Sequence, residues 1–353
     1  MTITERKNHF IQLGKFIALA LSGGQENDID ILQVDLLERL DNEIESARHY
    51  NGWFTRDNVV FSLEQWSNAL TEENLDIWLD LYDLPKDLSQ TTVGIIMAGN
   101  IPLVGMHDFV SVLISGHNVL VKQSSNDQRI LPLIAEFLIA LNPIYKSRIR
   151  FTDGRMENFD AVIATGSNNT ARYFEYYFAN KPSIIRKNRN SVAILTGSES
   201  AADLRALGED IFRYFGLGCR NVSKLYVPKD YDFDSLYKAL APWEHLMDHA
   251  KYANNYDYNK AVYLMSEFKF LDNGFLILKE SSDFGSPIAT LFYEKYENEE
   301  QLQQILLENK ERLQCSVGSR EENNVRIPFG KSQHPYLWEY ADNVDTLAFL
   351  VNL

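Results

Sequence analysis

Hydrophobic positions fall into two regimes along this chain. Over roughly the first ninety residues they recur at helical spacing, as in Phe10, Leu13, Phe16, Ile17 and Leu21, then Leu36, Leu37, Leu40 and Ile44. That spacing puts one apolar stripe on each helix. Further short helices are predicted over Ser62 to Leu70 and Asn74 to Tyr82, and Leu84-Pro85-Lys86 breaks the run. From Thr91 onward, short runs that are apolar throughout alternate with helical patterns. Val93 to Met97, Asn118 to Lys122, Ile149 to Phe151 and Asp160 to Ala164 read as strands, and Pro102 to Ser115, Gln128 to Leu141 and Asn168 to Phe178 as helices. Strands apolar on both faces, alternating with helices, predict an α/β fold with a covered parallel sheet.

Ligands of such sheets bind at the carboxyl ends of the strands. The loops there carry Gly99-Asn100-Ile101-Pro102, Lys122-Gln123-Ser124-Ser125 and Thr165-Gly166-Ser167. A second βα stretch follows, with a strand over Ser191 to Leu195 and a helix from Ala201 to Phe215. Past Tyr231 to Leu240 and the apolar run Phe275 to Leu278, Ile288 to Phe292 is a further strand. The ending, Asp345 to Leu353, reads as an apolar strand. The expected domains are 1–190, holding the N-terminal helices and the first α/β region, 191–335, holding the second, and a tail over 336–353.

Composition narrows the class. The 353 residues are 45% hydrophobic and 24% charged, as in an ordinary globular protein, and suggest about two domains. The 34 basic and 49 acidic side chains leave a net charge of −15, which argues against nucleic acid or an anionic membrane as partner. Met1 to Lys15 scatters charges and has no long apolar core, and Val93 to Val121 is interrupted by Asn100, Pro102, His107 and Asp108. Neither reads as a signal peptide or a membrane span, so the expectation is a soluble, cytoplasmic protein.

Cys219 and Cys315 cannot form a disulfide scaffold, and a reducing compartment suits them. Cys219 lies in Phe215-Gly216-Leu217-Gly218-Cys219-Arg220-Asn221, between a helix and a β-rich run ending at Pro228. Glycines beside a thiol let a substrate carbonyl come within bonding distance, as a nucleophile requires. Cys315, without a glycine-rich approach, reads as structural. His245 and His249 share a helical face but have no third ligand at metal spacing, so no metal is expected.

Several elements occur in an order that resembles the aldehyde dehydrogenase superfamily. They are Gly99-Asn100-Ile101-Pro102-Leu103, Gly116-His117-Asn118-Val119-Leu120-Val121-Lys122, Thr165-Gly166-Ser167, the Cys219 segment with Ser223, Lys224, Tyr226 and Val227, Phe284-Gly285 with Pro287, and Pro328-Phe329-Gly330. Within it the chain is most similar to acyl-CoA reductases of the LuxC type. The stretch Ile185 to Ser191 replaces the family's glutamate-leucine-glycine-glycine, with Arg186 near the glutamate position. Ser282 stands where a glutamate is expected before Phe284. Without a base to activate water, an acyl-cysteine is poorly hydrolysed and persists for reduction.

The resemblance implies an aldehyde-dehydrogenase-like fold, with a Rossmann-like cofactor domain, an α/β catalytic domain and a C-terminal oligomerisation strand in a homo-oligomer. It implies that Cys219 attacks an acyl-CoA thioester and that Asn100 stabilises the oxyanion. Asn100 read alone can also be a helix cap before Pro102. Lys122 is implied to reach the adenosine ribose or its 2′-phosphate, the alternative being a solvated strand end. Ser125 stands where NAD-preferring relatives carry a glutamate, and a serine can donate to a 2′-phosphate, so NADPH is the expected cofactor. Thr165, Gly166 and Ser167 are implied to approach that cofactor, although a tight turn with a serine cap fits the same residues. Phe284 is implied to pack near the nicotinamide ribose, core packing being the alternative. Lys181, Arg186, Lys187 and Arg189 form a basic island that can face phosphates or simply be a solvated loop. The resulting expectation is an NADPH-dependent reductase of fatty acyl-CoA. The rivals are a cysteine enzyme acting on an acyl phosphate or acyl carrier protein thioester, and a catalytically silent nucleotide-binding relative.

Overall fold

The structure is a computed structural model that describes residues 1–23, 31–84, 91–319 and 326–353. The break expected at Leu84-Pro85-Lys86 lies, beyond its first residue, outside the described residues. The chain forms two compact units, one of Met1–Lys187 with Tyr336–Leu353, the other of Asn188–Pro335.

Unit one opens with four helices, α1 (Ile3–Leu21), α2 (Ile31–Tyr50), α3 (Arg56–Ala69) and α4 (Glu72–Leu79). Thr2, Thr55 and Thr71 start α1, α3 and α4, each hydroxyl accepting a first-turn backbone N–H. The α/β pattern follows as β1 (Thr92–Ile96), α5 (Met106–Ser115), β2 (Asn118–Lys122), α6 (Ile130–Leu141), α7 (Tyr145–Arg148), β3 (Ile149–Phe151), β4 (Ala161–Thr165), α8 (Asn168–Tyr177) and β5 (Ser183–Arg186). The strands are all parallel, in the order β3-β2-β1-β4-β5.

Alternate side chains divide the sheet between two cores. Val93, Ile95, Val119, Val121 and Ile163 join the large core under α1–α6, while Leu120, Val162 and Ala164 meet Phe159, Phe174 and Phe178 on the other side. The chain runs outward from β1 to β2 and β3, then returns to the other flank of β1 as β4. The carboxyl ends of β1 and β4 therefore form the switch point, where α/β sheets open a crevice for ligands.

Unit two contains β6 (Asn190–Ile194), α9 (Ala201–Phe212), β7 (Val222–Pro228), α10 (Phe233–Leu240), α11 (Ala250–Met265), β8 (Phe270–Asp272), β9 (Ile277–Glu280), β10 (Thr290–Tyr296), α12 (Glu299–Glu308) and β11 (Leu313–Gly318). Its sheet runs β11-β6-β7-β10-β9-β8, parallel except for the β8–β9 pair.

Two expectations are corrected here. The helix predicted from Pro102 starts only at Met106, because Leu103 takes the left-handed φ of 57°, which no α-helix accommodates. Asn100 is therefore not its cap. The tail, expected as a strand, is a helix, α13 (Thr346–Val351), capped by Asp345. Leu347 and Leu350 are three apart, so one helical face sinks both into the core of unit one, and each is fully buried. Burial at ~1.5–3 kcal/mol per leucine keeps the tail in its own unit. His117 Nε2 lies 2.9 Å from the Leu350 carbonyl, and Tyr82 donates to Asp345 at 2.8 Å. No helix among the described residues is long and apolar enough to cross a membrane.

Candidate active site

In unit one, three loops crown the carboxyl edge of the sheet. Asn100 is exposed in the loop after β1. That loop is held from three directions. The Ser62 hydroxyl donates to the Pro102 carbonyl at 2.9 Å, and the Asp127 carboxylate accepts from Leu103 N–H at 2.8 Å. Gly99 lies against the next loop so closely that a Cβ would sit 2.5 Å from Ser124 Oγ. Burial pushes the Asp127 carboxyl up to about 6.

Lys122 ends β2, half-buried, with its Nζ donating to the Gly154 carbonyl at 2.8 Å. Ser125 is exposed three residues on, at a cavity of about 170 Å³ lined also by Tyr50, Phe54, Asp127 and Arg129. Thr165 ends β4. A Cβ on Gly166 would lie 3.0 Å from Thr170 and 3.1 Å from Phe174, so glycine is needed where the turn presses on α8. Ser167 caps α8 by accepting from Thr170 N–H at 3.3 Å. The Gly166–Ser167 turn and the start of α8 thus stand at the switch point. Helical N–H groups there suit a pyrophosphate. Bare backbone at Gly166, a helix start at Ser167 and a lysine at the end of β2 fit a dinucleotide.

In unit two, Cys219 is partly exposed on the turn before β7. The chain leaves α9 through Tyr214, Phe215 and Gly216, all left-handed, at φ 55°, 58° and 76°. Ser191 on β6 donates from its hydroxyl to the Cys219 carbonyl at 2.9 Å, and Cys315 Sγ on β11 lies 3.0 Å from the same hydroxyl. Because that hydroxyl hydrogen is committed to Cys219, the Cys315 thiol is the donor between the two. Behind the turn, the buried Asp210 accepts from Gly330 N–H at 2.6 Å and Ser332 N–H at 2.8 Å, while Arg220 Nε donates to the Ser332 carbonyl at 2.5 Å. The Pro328-Phe329-Gly330 element is therefore tied to the cysteine turn.

Phe284 is 3% exposed and packs in the core of unit two with Val192, Ile194 and Tyr226. Lys224 and Arg312 sit over its ring at 4.8 and 4.5 Å. Core packing, one of the two readings of this ring, is what its surroundings show, and its carbonyl accepts from the Ser223 hydroxyl at 2.7 Å. Lys224 is fully buried, pairs with Glu294 and donates to the Ser282 carbonyl at 3.0 Å.

The basic island dissolves on inspection. Arg186 is buried against Asp108 and donates to Thr346 Oγ1 at 2.8 Å. It fastens β5 to α5 and α13. Lys181 reaches the Phe159 carbonyl at 2.6 Å, Lys187 pairs with Glu175 at 2.7 Å, and Arg189 donates to the Leu313 carbonyl at 3.2 Å. Each of these charges has a partner within its own unit. His245 stacks on Trp243 and His249 on Phe215. Sequence reasoning passed over Ser191, Asp127, Asp210 and Asn221. Only Asn221, a turn-forming residue two places after the cysteine, left a local signal.

The architecture is that of the aldehyde dehydrogenases. Aldehyde dehydrogenase 21 from Physcomitrella patens, solved with succinate, is 13% identical over 100% of this chain and 84% of that one, with a TM-score of 0.66. An NAD-dependent aldehyde dehydrogenase from Sinorhizobium meliloti is 14% identical over 94% and 72% of the two chains, at 0.63. The P. syringae indole-3-acetaldehyde dehydrogenase AldA, solved as a mutant with NAD⁺, is 14% identical over 93% and 74%, at 0.61. No curated protein matches the chain. The profile of the LuxC acyl-CoA reductases matches residues 31–327, and the chain belongs to that family.

Proposed function

We propose that this acyl-CoA reductase converts a fatty acyl-CoA to the aldehyde through an acyl-Cys219 intermediate, with NADPH as reductant. The observation that carries this reading is the Cys219 turn. Both cysteines are partly exposed, but Cys219 stands on a turn beside Gly216 and Gly218, whereas Cys315 lies within β11 as donor to Ser191.

As a thiolate, Cys219 attacks the thioester carbonyl. The C–S bond to coenzyme A breaks, and coenzyme A leaves as a thiolate that takes up a proton. Asn100 donates its amide N–H to the developing oxyanion, a contact worth ~10²–10³ in rate. NADPH, when bound, supplies the hydride that converts the Cys219 thioester to a thiohemiacetal on the same sulfur. That adduct loses its hydroxyl proton and expels the Cys219 thiolate, which frees the aldehyde and restores the enzyme. Ile185 to Ser191 offers no carboxylate, and Arg186 within it is held by Asp108, so nothing in this stretch activates water. Lys122 and Ser125 would meet the adenosine 2′-phosphate, and Thr165, Gly166 and Ser167 the pyrophosphate.

The test is intact-mass analysis of wild type and Cys219→Ala with a panel of acyl-CoAs. A mass gain of one acyl group, absent from the variant and discharged to aldehyde faster by NADPH than by NADH, is expected. Labelling by an acyl phosphate alone would replace the acyl donor in this reading. Nucleotide binding with no labelling by any donor would leave a silent relative.

A further inference from the structure

The reaction as written does not use the residue that builds the Cys219 turn. Helix α9 ends at Phe212, and its last carbonyls need partners from outside the helix. Asn221, 2% exposed, supplies them. Its Nδ2 donates to the carbonyls of Asp210 at 3.1 Å, Ile211 at 3.4 Å and Arg213 at 2.8 Å. The Oδ1 of the same amide accepts from Gly218 N–H at 2.8 Å, and the Asn221 N–H donates to the Gly218 carbonyl at 3.0 Å.

One residue therefore joins the end of a helix to both polar groups of the residue preceding the thiol, to the N–H through its side chain and to the carbonyl through its backbone. A short amide is the group that offers donor and acceptor together at this reach. Between the two anchor points the chain passes through Tyr214 and Phe215, whose left-handed backbones cost ~1–3 kcal/mol each and persist only where the surroundings over-determine them.

We infer that Asn221 is the positioning residue of the nucleophile. Its amide sets the direction of the Cys219 thiol, and a thioester meets that thiol at reacting distance only while the amide is in place. The inference rests on Cys219 being the acylated residue.

The experiment measures the rate of Cys219 acylation in the full chain with acetyl-, octanoyl- and palmitoyl-CoA, in wild type, Asn221→Ala and Asn221→Asp. At saturating thioester the alanine variant is expected to acylate ~10²-fold more slowly, with half-saturation changed less than about threefold, as for a misdirected group rather than a lost binding contact. The aspartate variant adds a pH signature. Its protonated carboxyl copies the amide, with O–H donating to an α9 carbonyl and C=O accepting from Gly218. Ionised, it cannot donate, and burial raises the pH at which it ionises. Its rate relative to wild type should be highest near about pH 5 and fall toward about pH 8. A folded alanine variant that acylates at the wild-type rate overturns the inference, as does a relative rate for the aspartate variant that is flat with pH. Should the alanine variant not fold, the aspartate profile decides. Wild type that takes no acyl group from any of the three thioesters overturns the acyl-cysteine reading, and this inference with it.

Discussion

The turn that carries Cys219 and the loop that carries Asn100 answer the same mechanical problem in different ways. Each must show one side chain to solvent while its backbone stays still. The cysteine turn is held largely from nearby in sequence, by an amide that reaches back eleven positions or fewer to α9, with Ser191 closing the far side. The Asn100 loop is held from afar, by Ser62 and by residues 124–127. The cysteine turn is held directly by a neutral amide, with a buried carboxylate, Asp210, one step behind it, whereas the Asn100 loop is held directly by a carboxylate that burial raises to about 6. The direct clamp of the first does not titrate, and that of the second does.

The largest effect that would sharpen this contrast is at the thiol itself. Cys219→Ala should lose acyl labelling and aldehyde formation to background while keeping its melting temperature within a few degrees, whereas Cys315→Ala should still be labelled. Labelling of Cys219→Ala at the wild-type rate would move the nucleophile elsewhere.

Next comes Asn100→Ala. Removing one oxyanion donor should lower kcat by ~10²–10³. Because Asn100 is exposed, urea-derived stability should stay within ~0.5 kcal/mol. A fall in stability without a fall in kcat would make the loop structural.

A smaller change is expected at Ser125. A glutamate there would repel a 2′-phosphate and accept from ribose hydroxyls, so Ser125→Glu should shift the ratio of kcat/KM for NADPH over NADH by about tenfold toward NADH. An unchanged ratio would detach the β2 loop from cofactor choice.

The smallest effect concerns the carboxylate clamp. Asp127 holds its proton more tightly in the folded protein than in the unfolded chain, where a carboxyl titrates near 3.8. Its contribution to stability is therefore greatest at low pH, declines as pH rises from about 4 to about 6, and is level above. Asp127→Asn keeps an acceptor for Leu103 N–H and removes that decline, with a gain of ~1 kcal/mol near neutral pH measured by urea titration across that range. An unchanged pH dependence in the variant would put the titration elsewhere, with Asp210, also raised to about 6, as the first place to look.

Much of this protein is set by local sequence. Alternation of apolar strands with helical stripes is a property of neighbouring residues, and it yielded the parallel sheet and β2 and β3 to the residue. The glycines around Cys219 and the turn at Thr165-Gly166-Ser167 were legible for the same reason, since backbone freedom and helix capping act within a few positions. The tertiary structure alone decided what depended on distant partners. Apolar residues at Leu347 and Leu350 suit a strand or a helix equally, and only the core waiting in unit one selected the helix. Arg186 reads in sequence as part of a basic loop, solvated or facing phosphates, and only Asp108 and Thr346, brought to it by folding, make it a buried strut. Charge and hydropathy are written in the chain, but which neighbour satisfies a buried polar group is settled by packing, because a desolvated charge must pair with whatever the fold delivers.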